Sequence, residues 1–235
     1  MYSYDFQGEY QQTVVRYVAM SLLHACMSLT GVAPEEIDAT EIKSHDQLSE
    51  IAQSPPNAFL SYQNMVCATT VSFWKRDFIR VAERTTQHFR SVKKKGIFET
   101  SLIFFEGMAS LYLARQTCQP KWRVIGERAM IKMNQMVSVS TWNYENKSKL
   151  LQAEFHYVCG DLESADNFYK ASVTSALKHK FPFEGALALE AYGFFLVENE
   201  NLVKGTEQLC MAVKKYKELG ALEKARDLQC LIHEK

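Results

Sequence analysis

The sequence predicts an all-α protein, a right-handed solenoid of antiparallel helix pairs, on three observations. One helical hairpin is written twice: LLQAEFHYVCGDLESADNFYKASV, Leu150 to Val173, returns 40 positions later as EAYGFFLVENENLVKGTEQLCMAV, Glu190 to Val213. The alignment sets Gly160-Asp161-Leu162 on Glu200-Asn201-Leu202, Ala165 on Gly205, Tyr169 on Leu209 and Val173 on Val213. Apolar residues recur at helical spacing on either side of this pair, and 47% apolar residues against five prolines and ten glycines describe a packed chain. A two-helix unit cannot bury its apolar face alone, so a fixed period of this kind implies neighbours stacked on both sides.

From Gln11 to Leu29 the spacing of Val14, Val15, Val18, Leu22, Leu23, Cys26 and Leu29 predicts a helix stopped by Gly31 and Pro34. The polar stretch to Pro56 reads as a linker with a short helix around Asp46 to Ala52, which gives an N-terminal helix and linker over 1–56. The helical-repeat region occupies 57–235. Its first helix starts near Asn57 with Phe59, Tyr62, Met65, Val66, Thr69 and Phe73 inward. The turn falls at Lys75 to Asp77, and a partner helix runs to Lys95, closed by Gly96. Asp77 stands 84 positions before Asp161, about two units upstream. The next hairpin pairs Ile97–Gln116 with Trp122–Val139 around Pro120, which costs little early in a helix because its N–H would be unpaired there anyway. Asn143 or Asn146 is expected to cap the incoming helix, with Trp142 and Tyr144 in a staple-like contact. Gly220 ends the second repeat, and Leu222 to His233 forms a last, capping helix.

Lys93 to Lys95 form a basic run, but lysines also close the helices of Tyr169 (Lys178, Lys180) and Leu209 (Lys214, Lys215, Lys217). Cations there compensate the helix dipole, so the run reads as a helix end. With 27 basic and 27 acidic residues the chain shows no excess that would draw a polyanion, and no nucleic-acid partner is expected. No apolar run reaches the roughly 18 to 20 residues that span a bilayer, and the N-terminus lacks a signal peptide's basic start and apolar core, so membrane insertion is not expected and the expected location is cytoplasmic. Six scattered cysteines, at 26, 67, 118, 159, 210 and 230, are expected to be small buried residues in a reducing compartment.

No glycine-rich phosphate loop and no HExxH helix occurs. His156 and Cys159, one turn apart, supply two potential ligands where a structural metal site needs four. The expectation is therefore a chain with no catalytic, cofactor-binding or metal-binding residues.

The order WNYENK, LLQAEFHYVCGD, SADNFYKAS, EGALALEAYGFFL and AVKKYKELGALEKARDL, about Trp142 to Leu228, resembles the helical-repeat region of large multidomain signalling ATPases. FFEGMASLYLAR and KWRVIGERAM resemble the same region further upstream. In that family the region is itself similar to tetratricopeptide repeats and lies between an ATPase module and sensor, histidine kinase or cyclase domains. The resemblance implies a connecting and docking module, with neighbouring ATPase or kinase modules as partners in the full-length architecture. One departure is Glu200, where the family favours glycine in the turn.

The expected function is a non-catalytic interaction or connecting scaffold in signal transduction, presenting a concave groove to a protein or peptide partner. Leu150, Glu154 and Tyr157 of one unit, with Glu190, Phe194 and Val197 of the next, are the positions expected to face that groove. The alternatives are a small-effector sensor or enzyme on a helical array, suggested by 14 Phe and 11 Tyr that could line a pocket, or a fragment of a larger signalling ATPase.

Overall fold

Left-handed turn residues set most of the helix boundaries. The computed structural model describes residues 22–31, 47–48, 58–91 and 98–233. Its helices are α1 (Ala58–Trp74), α2 (Phe78–Ser91), α3 (Glu99–Thr117), α4 (Pro120–Val139), α5 (Thr141–Val158), α6 (Leu162–Lys178), α7 (Pro182–Glu198), α8 (Leu202–Glu218) and α9 (Leu222–His233). Residues 22–30 are also helical, and no strand occurs among the described residues. The turns from α1 to α2, α3 to α4, α5 to α6 and α7 to α8 each hold one left-handed residue, Arg76, Cys118, Gly160 and Glu200, with φ of 61°, 54°, 77° and 64°. At three of these turns the amide that follows bonds a carbonyl five residues back: Asp77 to Ser72, Asp161 to His156 and Asn201 to Leu196, at 2.9 to 3.0 Å. Phe181 to Ala176 and Ala221 to Tyr216 repeat the pattern between pairs. These bonds satisfy carbonyls that a helix end would otherwise leave unpaired.

The helices pack in series, each on the next. In addition α1 touches α3, α3 touches α5 and α5 touches α7, so these four helices share one layer. Small residues allow the closest approaches. A Cβ on Gly193 of α7 would lie 2.6 Å from Leu209 Cγ, and one on Gly205 of α8 would lie 2.8 Å from the Val197 backbone nitrogen and 2.9 Å from the Gly193 carbonyl oxygen. Ala165 and Gly205, and Tyr169 and Leu209, the pairs aligned by the offset of 40, are buried in both copies. One core cluster runs through Phe73, Phe104, Leu111, Met133, Leu151 and Tyr169. A second holds Leu189, Phe194, Leu209, Val213, Tyr216 and Leu228.

Several local expectations are corrected. The cap of α5 is Ser140, whose hydroxyl accepts from Asn143 N at 3.4 Å, because the helix begins at Thr141. Asn143 is thus inside the first turn and Asn146 is buried mid-helix. Trp142 is exposed and stacks on His179 at 5.2 Å instead of stapling the helix start. Phe59 is exposed on the first turn of α1. Of the six cysteines only Cys67 is buried; Cys118 and Cys159 sit at helix ends, and Cys26, Cys210 and Cys230 are also exposed. The expected helix residues 11–21, most of the short helix at 46–52, and the stretch holding Lys93 to Gly96 lie outside the described residues. Among the described residues no helix is long and apolar enough to cross a membrane.

Candidate functional site

Glu190 sits in the middle of α7 with 1% of its side chain exposed, a position where an ionised carboxylate must be compensated. Three elements supply the compensation. Arg76, in the turn after α1, donates from Nη1 to Oε1 at 2.8 Å, Lys224 of α9 donates from Nζ to the same oxygen at 2.9 Å, and Tyr216 of α8 donates its hydroxyl to Oε2 at 2.8 Å. Burial is the largest influence on the carboxyl and works to raise its pKa, but Lys224, Arg76 and the Tyr216 hydrogen bond outweigh it and hold it below the usual glutamate value. Burial lowers the Lys224 ammonium, with the Arg76 charge adding to the effect and Glu190 only partly opposing it. The Arg76 guanidinium also lies 4.3 Å from the centroid of the Phe194 ring, a cation over an aromatic face one turn along α7 from Glu190.

A second buried carboxylate lies beside the first. Glu154 of α5 accepts from Arg115 Nη1 of α3 and from the Tyr169 hydroxyl of α6, the latter at 2.8 Å. The Arg115 guanidinium stacks 4.4 Å over the Tyr157 ring. Tyr157 donates in turn to Glu198 at 2.9 Å, and burial, followed by that hydrogen bond, pushes its phenol up to about 12. Arg76, Arg115 and Lys224 therefore face Glu154, Glu190 and Glu198 around one cavity. Its free volume is about 30 Å³, roughly the share of liquid volume that one water molecule takes.

Of the six residues expected to face a groove, Glu154, Glu190 and Phe194 line this cavity. Tyr157 stands beside it, half-buried, through Arg115 and Glu198. Leu150 lies in the core, 2% exposed, and Val197 is half-buried with Cγ2 against Gly205, so the structure does not bring these two into the lining. A helical stripe is wider than its solvent-facing edge, and one face of α5 carries both core and cavity positions. Sequence reasoning missed Trp74, Arg76, Arg115 and Lys224. Arg76 and Glu190 are 114 residues apart, which no local pattern can join; the one available signal was an arginine at a turn position that holds glycine at 160.

A separate open hollow of about 540 Å³ lies between α2 and α4, walled by Ala82, Trp122 and Ile125 and edged by Glu83, Arg90 and Lys121. It contains none of the six expected positions.

Compared with protein-family models the chain matches none, and no curated protein sequence matches it.

Proposed function

We propose that the chain is a non-catalytic interaction and connecting module, a solenoid of tetratricopeptide-like helix pairs of about 40 residues, acting in signal transduction through the face of its odd-numbered helices. One observation carries the reading: α1, α3, α5, α7 and α9 all send side chains to a single polar and aromatic site. Helix pairs stacked with one helix of each pair on a common side build such a face, which suits a partner segment. The spacing of the left-handed turn residues Arg76, Cys118, Gly160 and Glu200 supports equivalent pairs, as does the shared start-to-start distance of α6 and α8 with the sequence repeat. The resemblance to signalling ATPases makes ATPase or kinase modules the first partners to test.

At the Glu190 site the small-effector alternative draws less support, since pockets for drug-sized ligands run to about 300 Å³ or more and this cavity is tenfold smaller at about 30 Å³; the hollow between α2 and α4, at about 540 Å³, is large enough for one. Glu198 gives the cleanest test, because it lines the site yet is exposed at the end of α7, so its replacement leaves the buried pairs intact. A partner captured by the full chain should lose at least about tenfold in affinity with Glu198→Arg, roughly 1.4 kcal/mol, while the melting temperature stays within a degree or two. Unchanged affinity for every captured partner overturns the assignment of this face.

A further inference from the structure

The Glu190 site already holds a segment that comes from elsewhere in the chain. Trp74 sets its indole edge-on to Tyr216, centroids 6.0 Å apart at 85°, and 5.7 Å from Phe183. Two residues on, Arg76 places its guanidinium on Glu190 at 2.8 Å and over the Phe194 ring at 4.3 Å. Lys75 between them points to solvent. α1 itself packs along α2 and α3, so what joins it to α7 and α8 here is this set of side chains.

We propose that the surface of α7, α8 and α9 around Glu190 is a receptor for a segment bearing an aromatic residue and, two positions later, an arginine, and that the chain's own Trp74-Lys75-Arg76 turn occupies it as an internal ligand. The proposal deepens the scaffold reading and rests on it for a biological purpose, though not for the binding itself. One feature distinguishes the turn from ordinary core. The receptor keeps compensated charge without it, since Glu190 retains Lys224 at 2.9 Å and the Tyr216 hydroxyl at 2.8 Å. An external segment of the same chemistry competes with the turn, and its apparent affinity falls in proportion to the fraction of molecules in which the turn is released.

A fluorescently labelled peptide copying residues 71–80, VSFWKRDFIR, tests this by anisotropy against the full chain and against the full-chain variant Trp74→Ala/Arg76→Gln. The variant, checked as folded by circular dichroism, should bind the peptide at least about tenfold tighter than the wild type, as expected when the internal competitor is closed in at least about nine molecules of ten. Peptides with the tryptophan replaced by alanine, or the arginine by glutamine, should not bind. Should the variant not fold, hydrogen exchange of the wild type in excess peptide decides: amides around the α1–α2 turn should exchange faster while those of α7 and α9 stay protected. The proposal is overturned by no binding to a folded variant, by equal affinity for the substituted peptides, or by an unchanged exchange pattern where the variant fails to fold. Peptide binding together with unaltered partner affinity in Glu198→Arg would uphold this site and overturn the scaffold assignment, and the reverse pattern would do the opposite.

Discussion

Two glutamates, each 1% exposed, show how far the local donor set decides what a buried carboxyl does. Glu190 has two cations and a phenol within 2.9 Å and is held ionised. Among the described residues Glu106, on α3, has only Arg128 as an ion-pair partner, at 3.6 Å, and its Oε1 has no hydrogen-bond partner. Burial therefore raises its pKa, with Arg128 and Lys132 only partly opposing. A carboxyl whose folded pKa lies above its unfolded value of about 4.3 contributes stability that is complete below that value and is lost as pH rises through the folded pKa. Glu106→Gln should consequently stabilise the protein at pH 7 by on the order of 1 kcal/mol, the lower end of the cost of an unsatisfied buried polar group, and by less at pH 4. Urea unfolding at the two pH values measures the difference. Equal effects at both would mean that Glu106 is no more protonated in the folded state than in the unfolded one.

At the scale of the helix pair, what could be read in advance follows from local chemistry. The turns at Gly160 and Gly220 and the bounds of α9 at Leu222 and His233 were legible, because glycine and a helical apolar stripe act within a few residues, whereas α4 starts at Pro120, two residues before the expected Trp122. The start of α5 was misread because three side chains that can cap, Ser140, Asn143 and Asn146, stand in succession, and burial of Asn146 against α6 decides among them. The small-residue contact was legible as a pattern and is now a distance. Gly205→Ala would set a methyl 2.8 to 2.9 Å from two backbone atoms, which cannot rotate away as a side chain does. A loss of about 1 to 3 kcal/mol, typical of forced overpacking, is expected in chemical denaturation. Ala165, the aligned position in the preceding pair, already carries that methyl while fully buried, so α6 and α8 must seat differently on their partners. A neutral Gly205→Ala would show that α8 can shift to the α6 position.

Across the whole molecule the site was only half legible. The facing of Glu154, Glu190 and Phe194 follows from helical periodicity within α5 and α7, whereas their partners Arg115 and Lys224 come from other helices and Arg76 from the turn after α1, and closure over 114 residues is a tertiary fact. That closure changes how the molecule should unfold. A series of helices in which each packs only on its neighbours frays from its ends, with stability set by nearest-neighbour contacts. Here Trp74 and Arg76 tie the first pair to α7, α8 and, through Glu190, to Lys224 of α9. Opening either end therefore breaks contacts held by the other, and the ends should open together. In native-state hydrogen exchange the slowest amides of α1 and of α9 should share one opening free energy in the wild type. With Trp74→Ala the tie loses its aromatic contacts, an aromatic truncation costing about 3 kcal/mol or more in a full core and less at this half-buried position. The α1–α2 amides should then open well before those of α3 to α7. Exchange that already differs between α1 and α9 in the wild type, or that falls uniformly along the chain in the variant, would show that the turn does not couple the two ends.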